Sequence, residues 1–147
     1  MEYTKEQISE LQTWLSIYTG IAYNEKTILA QVQLHLGNHK LPFLPEIIDI
    51  MKGLQHLHFE YNRLKSLPES IGELSELKEL FLQANKLTSL PTSITRLKKL
   101  NLLYIDENPN LILTQSQADF ISSIKYHSDL SRFTIIPDSD LAKDLFL

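Results

Sequence analysis

The sequence predicts an α/β fold: a short solenoid of about four stacked coils, with a helical cap at the N-terminus and a helix–strand cap at the C-terminus. Three observations carry this. Apolar residues recur in one 23-residue pattern over roughly residues 31–113. Within each period they alternate with polar residues over a strand-length stretch, so that one face is buried. Each full period also holds a proline that would interrupt a helix laid across it.

The two complete periods align end to end. Residues 54–76 read LQHLHFEYNRLKSLPESIGELSE and residues 77–99 read LKELFLQANKLTSLPTSITRLKK. Leu54, Leu57, Phe59, Asn62, Leu64, Leu67, Pro68, Ile71 and Leu74 match Leu77, Leu80, Leu82, Asn85, Leu87, Leu90, Pro91, Ile94 and Leu97. One step back, Leu34, Leu36, Leu41, Leu44, Pro45, Ile48 and Met51 fit, with Gln31 and His39 as misfits. One step forward, Leu100, Leu103, Ile105 and Asn108 fit before the pattern drifts at Asn110 and Thr114. Leucines three and four apart also suit an array of amphipathic helices. Pro45, Pro68 and Pro91 argue against that array.

At the N-terminus, Thr4 and Gln7 have capping-box spacing. Ile8, Leu11, Leu15 and Tyr18 then share one helical face, and Gly20 suits the helix stop. Trp14 lies near that face, so the helix is read as a lid on the first coil rather than a partner-binding helix. In the coils, strands are expected near Leu34, Leu57, Leu80 and Leu103. The Leu-Pro pairs turn the chain to the outer side, and Ile48, Ile71 and Ile94 point back inward. Asn62, Asn85 and Asn108, buried at the turns, can bond the backbone of their own coil and the next. His39 can do part of that work. At the C-terminus, Gln115–His127 reads as a helix carrying Ala118, Ile121 and Ile124. Arg132–Ile136 reads as a strand, and Asp138 or Ser139 begins a last helical turn over Leu141 and Leu145. One domain, 1–147, is expected: an N-terminal cap over 1–30, repeats over 31–113 and a C-terminal cap over 114–147.

The pattern LxxLxLxxNxLxxLPxxIxxL resembles a leucine-rich repeat of the 23-residue intracellular kind. The resemblance implies parallel strands lining a concave side, and a helix and strand closing the last coil. It also implies a non-enzymatic protein–protein interaction module acting as an adaptor or regulator. Short stand-alone versions occur in bacteria, and some are delivered into host cells as effectors.

In that geometry the outward strand residues form columns, with coils about 4.8 Å apart. The middle column is His35, His58, Phe81 and Tyr104. Gln33, His56, Glu79 and Leu102 flank it on one side, and Gly37, Glu60, Gln83 and Asp106 on the other. Asn38, Tyr61, Ala84 and Glu107 follow. Exposed aromatic rings bury large area on binding at low entropic cost. The expected partner-binding residues are therefore His35, His56, His58, Glu60, Tyr61, Glu79, Phe81, Gln83, Leu102, Tyr104 and Asp106. The rings are expected to be open to water and to add nothing to the monomer's stability. Glu60, Glu79, Asp106 and Glu107 make the face acidic and favour a basic patch on the partner. Lys40, Arg63 and Lys86 form a basic rim.

Composition bounds the rest. The chain has 14 Lys+Arg against 18 Asp+Glu, a net charge of -4. That gives no electrostatic reason to bind nucleic acid or an anionic membrane. Having no cysteine excludes disulfides, Cys-bound zinc and thiol nucleophiles. It also excludes the catalytic cysteine of the ubiquitin-ligase domains that some bacterial leucine-rich-repeat proteins carry. Four glycines, Gly20, Gly37, Gly53 and Gly72, form no phosphate-binding loop. No HExxH or GxSxG motif is present, and carboxylates such as Glu60 and Asp106 lie on an open face that cannot exclude water.

No catalytic residue and no cofactor are expected. The start Met1-Glu2-Tyr3 lacks a signal-peptide pattern and no apolar run is long enough for a membrane span. A cytoplasmic monomer is the expectation, with non-classical secretion into a host cell as the variant. The alternative function is metal binding, or a metal-dependent activity, at His35, His56, His58 and Glu79. A third is a cap-to-cap element of a larger assembly, which would self-associate.

Overall fold

The structure is a computed structural model and describes residues 2–140. Helix α1 (Lys5–Thr19) begins with the expected capping box. The Gln7 amide donates to Thr4 Oγ1 at 3.2 Å, and the Thr4 amide donates to Gln7 Oε1 at 2.9 Å. It ends at Gly20, whose φ of 71° is left-handed. A second short helix, α2 (Glu25–Leu29), is capped by Asn24 and was not evident in the sequence pattern.

Four three-residue strands follow at the repeat interval: β1 (Gln33–His35), β2 (His56–His58), β3 (Glu79–Phe81) and β4 (Leu102–Tyr104). Each is centred on its buried leucine. Neighbours pair in parallel, in the register that places Leu34, Leu57, Leu80 and Leu103 side by side. Past each of the first three strands the ladder continues for two more bonds, the second from Asn38, Tyr61 and Ala84 to the carbonyls of Glu60, Gln83 and Asp106. In the first, Leu36 donates to His58 O, Phe59 to Phe81 O and Leu82 to Tyr104 O, at 2.8–2.9 Å.

Each coil then crosses to the convex side through a proline. Pro45, Pro68 and Pro91 have φ of -70°, -67° and -64°, close to the angle their rings impose. Each opens a 3-10 helix: Glu46–Ile50, Glu69–Glu73 and Thr92–Arg96. Ile48, Ile71 and Ile94 point back inward and are fully buried. Burying one such side chain contributes about 1.5–3 kcal/mol. No single coil can enclose its own core, and the buried apolar residues form one cluster running from Ile8 to Ile124.

Asparagine satisfies the buried turns. Asn62 Oδ1 accepts from the amides of His39 and Leu41, and its Nδ2 donates to Leu36 O and Phe59 O. Asn85 Oδ1 accepts from Leu64 while its Nδ2 donates to Phe59 O and Leu82 O. Asn108 repeats this with Leu87, Leu82 and Ile105. The bridge therefore runs to the preceding coil, and the expected reach to the following one is corrected. His39 makes the own-coil part, with Nδ1 2.7 Å from Gly37 O.

The C-terminal cap departs from expectation. Thr114 occupies the proline position, and its capping box with Gln117 starts an α-helix instead of a 3-10 turn. That helix, α3, spans Gln115–Ser122 and not Gln115–His127. Before it lies β5 (Ile112–Thr114), and after it β6 (Tyr126–His127) joins the edge of β4, giving a five-stranded sheet. Apolar Ile121 and Ile124 are buried as expected, but Ile124 packs beyond the helix end. Strand β7 is Thr134–Ile136, shorter than the predicted Arg132–Ile136, and pairs with β5 in a separate two-stranded sheet. Leu130–Arg132 forms a 3-10 turn because Asp129 caps the Ser131 amide. Another turn covers Asp138–Asp140, while Leu141 and Leu145 lie outside the described residues.

Candidate functional site: the concave ring column

The strand register brings His35, His58, Phe81 and Tyr104 into one line across four coils. Their rings touch in sequence. His35 stacks on His58 with centroids 4.3 Å apart, and His58 on Phe81 at 4.3 Å. Phe81 and Tyr104 are tilted at 5.9 Å. His35 is exposed and the other three rings are half-buried. They are thus partners of one another, and the expectation that the whole column is open to water is corrected.

The flanking carboxylates are also less free than the sequence suggested. Glu79 Oε2 accepts from His56 Nδ1 at 2.8 Å. Glu60 folds back over Gly37, where a Cβ would lie 2.8 Å from Glu60 Oε1. That oxygen is 3.7 Å from His58 Nδ1, and Glu60 Oε2 is buried with no donor among the described residues. Asp106 Oδ2 accepts from Ser128 Oγ at 2.5 Å. Glu107 remains exposed. The His58 imidazole is held below its ordinary pKa. Burial is the main cause and the adjacent His35 the next, opposed by Glu60 and Glu79.

The proposed metal ligands separate into two pairs. His56 binds Glu79 while His35 and His58 lie ring on ring. Among the described residues no group of three or more His, Asp or Glu side chains is placed to hold an ion, so the metal reading is corrected. Periodic flat-sheet neighbours run parallel instead of converging on one point.

Tyr61 stands outside the column, exposed, with a left-handed φ of 57°. Asn38, Ala84 and Glu107 take the same conformation at the equivalent place, with φ of 56–60°. The coil geometry imposes it, and a bulky side chain there costs about 1–2 kcal/mol. Gln83 sits between Glu60 and Asp106 with its Oε1 buried and, among the described residues, without a donor. Leu102 is half-buried, between Glu79 and Tyr126.

Two residues of this face were missed. Tyr126, 49% exposed, extends the flanking column from Leu102, and it was hidden because the segment reads as helix. Ser128 is buried, and its Oγ accepts from the Ile105 amide at 2.9 Å where the other coils use a carbonyl. No Lys or Arg lies on any strand of the five-stranded sheet. A separate groove of about 620 Å³ runs between α1 and Phe43–Pro45, lined by Trp14, Ile17 and Tyr18 among others. Among the described residues no helix is long and apolar enough to cross a membrane.

Comparison with known proteins agrees with this architecture. Residues 52–109 match the family model described as leucine rich repeat. A Leptospira interrogans leucine-rich-repeat protein of known structure is 37% identical, with a TM-score of 0.61 over 70% of this chain. The match spans only 26% of that protein's length. Human 5T4, also called Wnt-activated inhibitory factor 1 or trophoblast glycoprotein, shares the fold at 20% identity. Its TM-score is 0.58, over 95% of this chain and 49% of its own. No curated protein matches the sequence. With repeat spacing, parallel register and asparagine bridges all in place, the chain belongs to the leucine-rich-repeat family.

Proposed function

We propose that this protein is a non-enzymatic interaction module that binds a basic protein partner across its concave face. Leucine-rich-repeat proteins are typically interaction modules of this kind. The observation that carries the reading is the continuous ring column on strands that hold no Lys or Arg, flanked by Glu79 on β3 and by Glu60 and Asp106 just past β2 and β4. Prealigned rings offer a partner a stiff, partly apolar platform, and the carboxylates supply charge complementarity. Tyr61 adds a second, exposed ring at the rim, at a place where glycine or asparagine would suit the backbone better.

The test is a binding comparison. Wild type and the pair Phe81→Ala, Tyr104→Ala are measured against a partner isolated from the native cell, at matched folded concentration. A loss of at least about 2 kcal/mol in the folded double variant supports the reading. Charge reversal at Glu60 and Asp106 should weaken binding more at low salt than at high. Full-strength binding by both variants would move the site to the basic rim of Lys40, Arg63 and Lys86.

A further inference from the structure

The concave sheet has an open edge. β1 stands first in the order β1-β2-β3-β4-β6, so no strand of the sheet lies on its side away from β2. Alternate residues of a strand turn their amide and carbonyl to opposite sides. Leu36 donates to His58 O, and Val32 O accepts from the His56 amide, so the even residues here serve β2. Gln33 and His35 turn theirs outward. Among the described residues no hydrogen bond reaches the backbone amide or carbonyl of either. Both are exposed, whereas the matching residues of β2, β3 and β4 are half-buried, so the N-terminal helices leave this edge uncovered. Open edges are usually blunted by charge or proline. This one is not. From Thr27 to His39 there is no Asp, Glu, Lys, Arg or Pro. Beside the strand, Leu29 is 48% exposed and Val32 46%.

We propose that β1 pairs antiparallel with β1 of a second copy, about a two-fold axis at Leu34, and joins the two five-stranded sheets into one. A weak dimer then takes the place of the expected monomer. The inference does not depend on the partner proposed for the concave face.

The free backbone groups fix the register. In an antiparallel pair, residues that exchange both bonds alternate with residues that exchange none. With Gln33 opposite His35 of the second copy, and His35 opposite its Gln33, every outward amide and carbonyl of the strand is used. Sliding the copies either way needs a group already engaged. In one direction it is the Gln31 amide, which donates to Ile28 O at 3.2 Å. In the other it is Gly37 O, 2.7 Å from His39 Nδ1. The antiparallel sense also sets the two α2 helices, each just before its β1, at opposite ends of the joint. Charge favours a second copy over a foreign strand. The uncharged edge meets no like charge on its own copy and offers an acidic or basic partner no counter-charge. Gln33 and His35 belong to the concave columns, so the second copy's Gln33 lies beside the end of the ring column and both concave faces look the same way. The joint is short, which makes the association weak.

Sedimentation equilibrium and NMR test this on the full chain. Between about 10 μM and 1 mM the weight-average mass should rise from the monomer value toward twice that value and no further, because two-fold pairing closes. Over the same range, exchange of the Gln33 and His35 amides with water should slow in proportion to the fraction of monomer. In a mixture of labelled and unlabelled copies, the Leu34 Hα protons of the two should show a mutual NOE, since their Cα atoms lie about 4.5 Å apart in this register. Gln33→Pro removes an outward donor and no bond to β2, and Gln33→Lys puts a like charge on both sides of the joint. Each folded variant should raise the dissociation constant at least about tenfold. Gln33→Lys keeps the backbone unaltered and carries the test if the proline variant does not fold. A monomer at about 1 mM overturns the proposal and leaves the edge to a strand of another protein. Association with unchanged exchange at Gln33 and His35, or undiminished in Gln33→Lys, also overturns it.

Discussion

Gly72 and Ser93 set how closely two coils approach. A methyl group on Gly72 would lie 2.5 Å from Ser93 Cβ and 2.6 Å from Ser93 O. Ser93 cannot retreat, because its Oγ donates to Glu69 O at 2.6 Å and its amide donates to Glu69 Oε2 at 3.1 Å. Gly72→Ala should therefore destabilise the protein by about 1–3 kcal/mol through overpacking. The midpoint of urea unfolding measures it, and a wild-type midpoint would mean the convex side is looser than described.

Asn85→Ala should cost about 1–3 kcal/mol. It leaves the Leu64 amide without its acceptor in a buried turn, while the carbonyls of Phe59 and Leu82 lose one of their two asparagine donors and keep Asn62 and Asn108. Equilibrium denaturation reads this directly. An unchanged midpoint would show that water replaces the amide without penalty.

Phe81→Ala should lower stability more than Tyr104→Ala. Phe81 contacts two rings, His58 and Tyr104, whereas Tyr104 contacts only one ring of the column. Each ring pair contributes about 0.5–1.5 kcal/mol beyond its area. Paired unfolding curves give the order, and equal losses would remove the stack from the stability of the fold.

His58 also ties stability to pH. Its folded pKa lies below the ordinary value of 6.5, so the unfolded chain binds its proton more readily. The contribution is fully present above 6.5 and is lost as pH falls below it. Unfolding midpoints at about pH 7.5 and 5 should therefore differ less in His58→Phe, which keeps a ring against Phe81 but removes the proton site. An equal drop in the variant would assign the acid sensitivity to other groups.

The repeat was legible because its physics is local. Pro68 fixes φ, Leu57 demands a buried face, and Asn62 must sit where turn amides lack partners. Each leaves its mark in the sequence at a fixed spacing. The cap was less so. Thr114 trades a proline for a helix start, after which Tyr126 returns to the sheet, and no period flags either event. The concave columns were also readable, since a period-two strand in register leaves no freedom about which side chains adjoin. Their contacts were not. That His56 turns to Glu79 while His58 lies flat on Phe81 depends on rotamers, which spacing does not encode.

The asparagine bridges impose an order in time. The amides of Leu41, Leu64 and Leu87 find their acceptors on Asn62, Asn85 and Asn108, each 21 residues further along the chain. A ribosome delivers the chain from its N-terminus. Each coil therefore emerges with an unanswered amide and waits nearly a full repeat for its acceptor to be made. Assembly of the solenoid trails its synthesis by one coil throughout. The Leu90 carbonyl and the Ile105 amide wait in the same way for Gln117 and Ser128, the groups that close the last coils.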